Sequence, residues 1–435
     1  MSRTAKRVCS CKNAPPSRHK DIEHVRFPWP TGALWRHSDF LRLWAAQVGS
    51  AFGSRISRTV LPIIAILTIG ATPTEVAILS ALSFAPGMLV GLFAGGFIDR
   101  NRKRPLLIGA DLVRALLIFT IPVTAWSGAL SMTQLYLVAA LVGAATAIFQ
   151  IADNAFLPRL VGKERLVEGN AKLEATEAVA EAAGPGLAGV LVQWLTAPVA
   201  VTIDAITYLW SAALLNRIRT PEPMVTELPP RVSVLEDIAA GVRVCASHEL
   251  IRPVLIADAL MYLFAGFFMA LYMLLALRTL ELSPAVVGLI VSVGGIGSFA
   301  GAGIAQPLAR STSVGGAMVI ALSLSQAANL CIALALHAPD HAVPLLVLQQ
   351  LVGDAFLSAY AVHAVSLRQR VLPQEVLGRA GATFHATLGL MLPAGALLAG
   401  PLVDTIGLRP VVWIAASGGL LAAFVLAASP VRRLP

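Results

Sequence analysis

The chain has little charge: only 13% of its 435 residues are Asp, Glu, Lys or Arg, whereas 57% are apolar. Soluble proteins average about a quarter charged residues, so this scarcity excludes an ordinary cytosolic enzyme and a disordered chain. The chain also lacks the HExxH and GxSxG patterns of metallopeptidases and serine hydrolases. We therefore predict that the protein is not an enzyme.

Cysteine is scarce as well, and the four cysteines are Cys9, Cys11, Cys245 and Cys331. Their uneven spacing predicts no disulfide framework. Cys9 and Cys11 lie near two histidines, but the spacing matches no tight metal site. We predict free thiols, no bound metal and no cofactor.

Long apolar runs are what the chain has in abundance. A helix that crosses a bilayer needs about 20 apolar residues, and runs of that length recur twelve times after residue 38. We expect the basic segment before them, 1–38, to be a disordered tail rather than a signal peptide. The predicted fold class is an all-α membrane protein with twelve transmembrane helices. The runs fall near 41–69, 76–98, 105–126, 132–156, 171–194, 198–216, 251–277, 284–308, 314–336, 343–367, 376–402 and 410–429.

The basic residues predict how the chain is oriented. With the N-terminus in the cytoplasm, 28 of the 33 Lys and Arg residues fall in cytoplasmic segments, and the outer loops hold only Arg278 and Arg409. Loops rich in Lys and Arg stay on the cytoplasmic side. We therefore expect a multi-pass protein of the plasma (inner) membrane with both termini in the cytoplasm, and the net charge of +9 needs no nucleic-acid partner.

A long polar break divides the chain into two sets of six runs. We predict an N-terminal six-helix half over 39–217, a cytoplasmic linker over 218–250, a C-terminal six-helix half over 251–430 and a short tail over 431–435. The linker is rich in proline near its start, which favours an extended conformation there. Apolar residues at helical spacing over 233–245 predict a short interfacial helix within it.

The two halves repeat each other at a constant offset. Pro73 matches Pro284, Arg159 matches Arg370 and Gly184 matches Gly395, each 211 positions apart. Two parallel, pseudo-symmetric six-helix halves are the architecture of many secondary transporters, in which substrate binds between the halves near the bilayer midplane. The repeat therefore indicates a transporter.

Two motifs carry a resemblance to a known family. The segment between the second and third runs resembles the GxxxD-R-x-x-R-R signature of the major facilitator superfamily, on Gly95, Asp99, Arg100, Lys103 and Arg104. The segment in the fifth run resembles the antiporter motif of its exporters, on Gly184, Pro185, Gly186 and Gly189. Over about residues 38–435 the chain is similar to the twelve-span drug–proton antiporter branch, which exports macrolides and siderophores. It departs from the signature at Arg102, and Arg310 occupies the repeat position of Asp99.

The resemblance implies roles for both motifs. Asp99 would pair with the start of the eleventh run, near Arg379, and latch the halves on the cytoplasmic side, although the adjacent basic residues alone would also anchor the loop to anionic lipid. The Gly-Pro motif would kink the fifth helix and permit close packing, which can control leak. It also fits GxGxxG, but no strand precedes it, so we reject a nucleotide site.

Ionisable residues inside apolar runs are costly and are functional candidates. Arg55 and Arg58 lie near the middle of the first run, and Gln47, Ser54 and Arg58 share one helical face. We expect this face to line the substrate cavity. Two readings stay open, one in which the arginines pair with buried counter-ions and one in which Arg58 binds an anionic part of the substrate.

Asp354 is our first candidate for proton coupling, because it lies near the centre of the tenth run with no cation nearby in sequence. Glu181, one turn before the Gly-Pro motif, is the second. Asp204 and Asp258 are weaker cases nearer a membrane face, and we expect Asp111 to pair with Arg114 or with the basic loop. Further candidates for the cavity are Gln350, Ser358, His363 and His385.

The resulting prediction is a monomeric, proton-driven exporter of small amphipathic molecules, such as drugs, siderophores or secondary metabolites. It would work by alternating access, with a cavity lined by spans 1, 4, 7 and 10, in contact with the lipid bilayer and driven by the proton gradient. Two alternatives stay open: an importer or facilitator of a small metabolite, and a non-transporting receptor or scaffold on the same fold.

Overall fold

The computed structural model describes residues 33–222 and 234–434, without the side chains of 92, 93, 95, 96, 99 and 234–238. Over these ranges twelve helices are long and apolar enough to cross a bilayer, and the predicted all-α membrane fold is confirmed. We number them as spans 1 to 12: Ser38–Ile69, Pro73–Arg100, Lys103–Trp126, Met132–Val161, Lys163–Leu195, Ala197–Asn216, Ile251–Thr279, Pro284–Ser311, Val314–Ala335, Pro339–Val371, Gln374–Ile406 and Leu408–Ala427.

Equivalent spans of the two halves begin with equivalent caps. The Thr72 hydroxyl accepts a hydrogen bond from the backbone N–H of Glu75 (3.3 Å), and the Glu75 carboxylate accepts one from the N–H of Thr72 (2.7 Å). Ser283 caps span 8 at the corresponding position, and Pro73 and Pro284 follow at the first helical position. Such caps satisfy backbone donors that a helix start leaves free, so the repeat extends to helix boundaries.

The backbone turns between spans also repeat. Gly70 (φ 80°) and Glu281 (φ 50°) follow spans 1 and 7, and Thr196 (φ 73°) and Gly407 (φ 85°) follow spans 5 and 11. Each pair is 211 positions apart. A left-handed conformation costs little for glycine but is uncommon for other residues, so Glu281 and Thr196 adopt it because the shared fold requires a turn there.

Helix packing within the halves follows one plan. In the first half, span 1 packs against spans 5 and 6, span 3 packs against spans 4 and 6, and span 2 packs against span 4. In the second half, span 7 packs against spans 11 and 12, span 9 against spans 10 and 12, and span 8 against span 10. The two six-helix halves are therefore pseudo-symmetric.

The halves meet along two helix pairs, span 5 with span 8 and span 2 with span 11, which we call the seam. An added Cβ at Gly189 would collide with the carbonyl of Pro284, and one at Gly400 would collide with Thr74. Small residues let backbones approach this closely. These contacts lie at the face opposite Ala33 and Leu434, the first and last described residues, and we call it the opposite face. The other face is the terminal face.

A second set of contacts closes the opposite face. The Arg278 guanidinium donates to the carbonyls of Ala71 (2.7 Å) and Ile66 (3.0 Å), which joins span 7 to the end of span 1. The Thr74 hydroxyl donates to the Asp404 carboxylate across the seam. The halves are thus held together at the opposite face.

The linker contains a helix, Val234–Ser247, where the sequence predicts one. It packs so closely against span 11 that an added Cβ at Gly241 would meet the Arg379 carbonyl and the Thr383 hydroxyl. Cys245 is fully buried, and burial raises the pKa of its thiol. The helix therefore lies against the terminal end of the second half.

The end of the tail predicted to be disordered over 1–38 is ordered. Ala33–Arg36 form a 3₁₀ helix with Leu34 buried, and the Trp35 ring lies edge-on to Trp44 with centroids 5.0 Å apart. These residues are ordered because the Leu34 and Trp35 side chains pack against the terminal face of the bundle. The preceding residues, including Cys9 and Cys11, lie outside the described ranges.

Candidate functional site

A cavity of about 410 Å³, which we call the central cavity, lies between the two halves. On the side of the second half, span 7 contributes Met261, Met269 and Met273. Methionine is flexible and polarisable and adapts to irregular ligands. On the side of the first half, the wall carries charge, from Arg55, Arg58 and Glu181. The central cavity is therefore amphipathic, and its volume is in the range of small-molecule sites.

A second cavity of about 440 Å³, the terminal-side cavity, lies within the first half. It is lined by the parts of spans 1, 4 and 5 that lie toward the terminal face, together with Arg114 of span 3. Arg55 and Arg58 line both cavities, so the two meet at this pair. The central cavity thus continues toward the terminal face, away from the closed seam.

The spans that line these cavities differ from the predicted set of 1, 4, 7 and 10. Spans 1, 7 and 10 do line the central cavity, but spans 2, 5, 8 and 9 contribute to it as well. Span 4 lines only the terminal-side cavity. The reason is that the seam brings spans 2, 5 and 8 to the centre of the bundle.

Arg55 links two acids of span 5. Its guanidinium lies 3.0 Å from Glu177 Oε2 and 2.7 Å from Glu181 Oε2. The side chain of Glu181 is 57% exposed toward the cavity, whereas that of Arg55 is only 17% exposed. Of the two readings left open by the sequence, the structure has counter-ion pairing at Arg55.

Arg58 makes no ion pair within 4 Å with any residue that the structure describes. Its guanidinium lies 5.7 Å from the centroid of the Phe84 ring, and its side chain is exposed to the cavity. A cation over an aromatic face is weakly stabilised. Arg58 is therefore available to a ligand.

Asp354 lines the central cavity from span 10, directly after a π-helical segment, Gln349–Gly353. Among the described residues no cation lies within ion-pairing distance of its carboxyl, and span 8 approaches it so closely that an added Cβ at Gly294 would collide with Oδ2. π-helical turns occur often at functional sites because they redirect side chains. Here the turn directs a lone acid and Gln350 into the cavity.

A neutral polar recess extends the central cavity into the second half. It is lined by Tyr272, Gln326, Asn329 and Gln349. Gln349 donates to Asn329 at 3.4 Å, and Asn329 donates to Gln326 at 3.4 Å, both long bonds. The Tyr272 hydroxyl and the side-chain oxygen Oε1 of Gln349 are buried and have no hydrogen-bond partner among the described residues. This recess offers both a donor and an acceptor without adding charge.

Other predicted cavity residues take different places. Gln47 and Ser54 line the terminal-side cavity. His363 is 7% exposed, and its Nε2 lies 2.9 Å from the carbonyl of Ala305 in span 8, so it joins two helices. Ser358 and His385 line neither cavity, and the His385 side chain is exposed.

Sequence reasoning missed Asp153, an acid of span 4 in the wall of the terminal-side cavity. Its Oδ1 accepts a hydrogen bond of 2.6 Å from the Gln47 side chain. The polar face of span 1 that contains Gln47 was the available signal, because such a face needs polar partners on a neighbouring helix. Which neighbour supplies them depends on packing between residues 106 positions apart.

The basic residues of the GxxxD-R-x-x-R-R signature bind to the end of span 6 and the start of the linker. The backbone N–H groups of Lys103 and Arg104 donate to the Glu222 carboxylate at 2.6 and 3.1 Å, and Arg104 Nε donates to the Leu215 carbonyl at 3.0 Å. Arg100 is exposed. Gly95 and the side chain of Asp99 lie outside the described residues, so the latch between Asp99 and Arg379 stays a prediction.

The Gly-Pro motif forms part of the seam. The N–H of Gly186 donates to the Ser292 hydroxyl of span 8 at 2.8 Å. An added Cβ at Gly288 of span 8 would collide with the carbonyl of Pro185, and one at Gly184 would collide with Arg55. The motif therefore joins the charged cavity wall to the closed opposite face.

The chain is similar to known membrane proteins along nearly its whole length. A family model described as a transmembrane secretion effector matches residues 31–434. The uncharacterized MFS-type transporter y4rN of Sinorhizobium fredii is 24% identical over 363 residues, which cover 82% of this chain and 86% of that protein. Macrolide efflux protein A of Streptococcus pyogenes is 22% identical over 386 residues, which cover 88% of this chain and 93% of that protein.

The fold is similar to that of a solved transporter. The crystal structure of a bacterial homologue of the iron transporter ferroportin, in the inward-facing state, superposes with a TM-score of 0.72. It is 16% identical in sequence, and the match covers 91% of this chain and 99% of that one. At this identity the likeness concerns the fold alone.

Proposed function

Because the chain belongs to the transmembrane secretion effector family of the major facilitator superfamily, and is thus a membrane transporter, we propose that it exports small amphipathic molecules in exchange for protons. Substrates of this kind include drugs, siderophores and secondary metabolites. The similarity to a macrolide efflux protein supports the export direction. The protein would act as a monomer in the plasma membrane.

The observation that carries this proposal is the amphipathic central cavity. One wall offers methionines and aromatic rings, and the facing wall offers Arg55, Arg58 and Glu181. A soft apolar wall accepts ligands of different shapes, while a few fixed charges orient them. Such a cavity suits a molecule with one apolar and one charged or polar end.

In this conformation the central cavity is open on the side from which an exported substrate would enter. Most of the basic residues in the described loops and helix ends lie at the terminal face, and basic segments favour the cytoplasmic side, so we assign that face to the cytoplasm. The cavity then opens to the cytoplasm while the seam closes the outer side. To release substrate outside, the seam must open and the terminal ends of the halves must approach each other.

Proton coupling is assigned to the acids of the cavity, with Asp354 first and Glu181 second. Asp354 has no cation partner among the described residues, so a proton and the positive end of a substrate compete for the same carboxylate. Glu181 shares Arg55 with Glu177, so its charge is partly compensated. A proton that enters from outside would displace substrate from Asp354, as antiport requires.

The test is drug accumulation in cells that express the protein, with a macrolide, a fluorescent cationic dye and a hydroxamate siderophore as probes. We expect lower accumulation of at least one probe than in cells without the protein, and we expect an uncoupler to abolish the difference. Asp354→Asn should abolish it as well. Asp340→Asn is the matched control, because Asp340 is exposed at the opposite face.

Two results would contradict the proposal. Higher accumulation in expressing cells would indicate an importer. Unchanged accumulation of every probe, with the protein confirmed in the membrane, would favour a receptor or scaffold.

A further inference from the structure

A group of ionisable residues lies buried between spans 1, 3 and 6, outside the central cavity. Asp111 and Arg114 of span 3 are 0% and 2% exposed, and Asp204 of span 6 is 0% exposed. Ser57 of span 1, 5% exposed, lies beside Asp204. We call these four residues the buried cluster.

The one cation of the buried cluster is already engaged. The Arg114 guanidinium forms an ion pair with Asp111 Oδ1. It also lies between two aromatic rings, 4.4 Å from the centroid of Phe149 and 4.2 Å from that of Tyr208. Its position is therefore fixed from three sides, at a distance from Asp204 that allows no ion pair within 4 Å.

The Asp204 carboxyl is poorly satisfied as an anion. Its Oδ1 has only a long contact of 3.4 Å with the Thr207 hydroxyl, and its Oδ2 is buried without a hydrogen-bond partner. The Ser57 hydroxyl is also buried and lacks a partner of ordinary geometry. A carboxylate accepts hydrogen bonds at both oxygens, and among the described residues only the Ser57 and Thr207 hydroxyls lie beside Asp204 to donate them, so its ionised form is poorly stabilised.

Charge balance leads to the same conclusion. The buried cluster holds two carboxyl groups and one guanidinium, and a buried charge without a partner is strongly disfavoured in a low-dielectric interior. A buried acid in that position takes up a proton instead. We propose that Asp204 is a proton-binding site, separate from the cavity acids Asp354 and Glu181.

The groups around Asp204 determine how the loss of its proton changes the local charge balance. The titratable and charged groups that face it among the described residues are Asp111 and Arg114 from span 3 and Tyr208 from its own span. Span 1 contributes only uncharged groups, Ser57 and Gly53, and an added Cβ at Gly53 would collide with the Asp204 carboxyl. Loss of the proton therefore leaves Arg114 as the single counter-ion for two carboxylates.

Because Asp111 and an ionised Asp204 would compete for Arg114, the ionisation of Asp204 affects the wall of the terminal-side cavity. Arg114 and Ser54 line the terminal-side cavity, and the Ser54 hydroxyl is hydrogen-bonded to the Tyr208 hydroxyl at 2.9 Å. When Asp204 releases its proton, Arg114 is drawn from Asp111 toward Asp204, and the cavity wall changes with it. The idea that Asp204 takes part in proton coupling rests on the proposed function. The proposal that Asp204 binds a proton does not.

Infrared difference spectroscopy of the purified protein in lipid nanodiscs tests the occupancy. The spectrum of wild type minus Asp204→Asn at neutral pH should contain the C=O stretch of a protonated carboxylic acid. If it contains the two stretches of a carboxylate instead, Asp204 is ionised and the proposal is overturned. Asp340→Asn is the control, since its exposed carboxyl should give only the carboxylate bands.

A second variant covers the case in which Asp204→Asn does not fold. Ser57→Ala removes the neighbouring hydroxyl, so it should shift the acid C=O band, and an unchanged spectrum in that region would overturn the proposal. A transport arm separates the two proposals. If wild type exports a probe without any proton dependence, the coupling proposal fails even where the acid band of Asp204 is present.

Discussion

The two halves share one backbone plan but differ in the chemistry of their interiors. Positions 211 apart pair Arg55 with Gly266, Arg58 with Met269 and Arg114 with Ser325. Six ion pairs between described side chains lie within 39–222, in the first half and its exit to the linker. In the second half, the buried acid Asp258 receives only a hydroxyl hydrogen bond, 2.6 Å from Tyr360.

This difference gives fixed ion pairs to one half and adaptable apolar contacts to the other. Ions held in fixed pairs respond to the gain or loss of one proton, because each pair is sensitive to charge balance. A wall of methionines and aromatic rings tolerates ligands of different shapes because its contacts are non-directional. The comparison teaches that helix packing follows the repeat, whereas the fixed ion pairs fall to the first half and the methionine wall of the central cavity falls to the second.

The largest expected effect comes from removing the buried cation of the first half. Arg114→Met leaves Asp111 buried without its partner, so we expect a loss of about 3–5 kcal/mol in the free energy of unfolding. Thermal unfolding of purified protein in detergent measures it. Adding Asp111→Asn to the same chain should restore most of the stability, because the lone charge is removed.

The matched variant in the second half is Asp258→Asn. The asparagine carbonyl still accepts the Tyr360 hydrogen bond, so the expected cost is about 1 kcal/mol. Equal losses of unfolding free energy in Arg114→Met and Asp258→Asn would contradict the proposed difference between the halves.

The next effect should be symmetric, because the seam follows the repeat. Gly189 and Gly400 are 211 positions apart, and each faces backbone of the other half. Alanine at either position should cost about 1–3 kcal/mol in the closed seam and lower the export rate about tenfold. Gly303→Ala is the control, since an added Cβ there meets nothing within 4 Å. A loss in only one of the two variants would contradict the shared packing.

An effect of comparable size, but limited to anionic ligands, is expected at the unpaired cation of the cavity. Arg58→Gln removes a charge that can bind an anionic group, and charge-assisted hydrogen bonds contribute about 1.5–3 kcal/mol. We expect at least tenfold weaker binding of an anionic amphipathic probe and little change for a cationic one, by fluorescence titration. Equal changes for both probes would mean that Arg58 acts only on structure.

The smallest effect is expected at the repeat position of Arg58 on the apolar wall. Met269→Leu conserves volume, and such exchanges usually cost less than about 1.5 kcal/mol. The export rates of different probes should change by only a few-fold, without dependence on their charge. A loss as large as that of Arg58→Gln would mean that the methionine wall is as specific as the charged one.

The sequence was sufficient to predict the spans and the repeat. Apolar runs and their flanking prolines and polar residues are local signals, and each predicted run overlaps an observed helix. The helices extend further at the terminal face, as in Lys163–Leu195 against the predicted 171–194. There the first turns are polar and carry no hydropathy signal.

The partners of the ionisable residues were harder to predict, because they depend on helix rotation and distant contacts. Arg55 meets two acids more than 120 positions away, which the sequence left open. Asp204, expected near a membrane face, is completely buried, since spans 1 and 3 cover it. The pairing of Asp111 with Arg114 was predicted because the two lie on one helix, three residues apart.

The most direct test of the account is transport by the purified protein in liposomes under an imposed pH gradient. We expect a cationic amphipathic dye to accumulate in wild-type vesicles with an acidic lumen, and neither in vesicles without a gradient nor in those that contain Asp354→Asn. Accumulation that is independent of the gradient, or that persists unchanged in Asp354→Asn, would contradict proton-coupled export through this cavity.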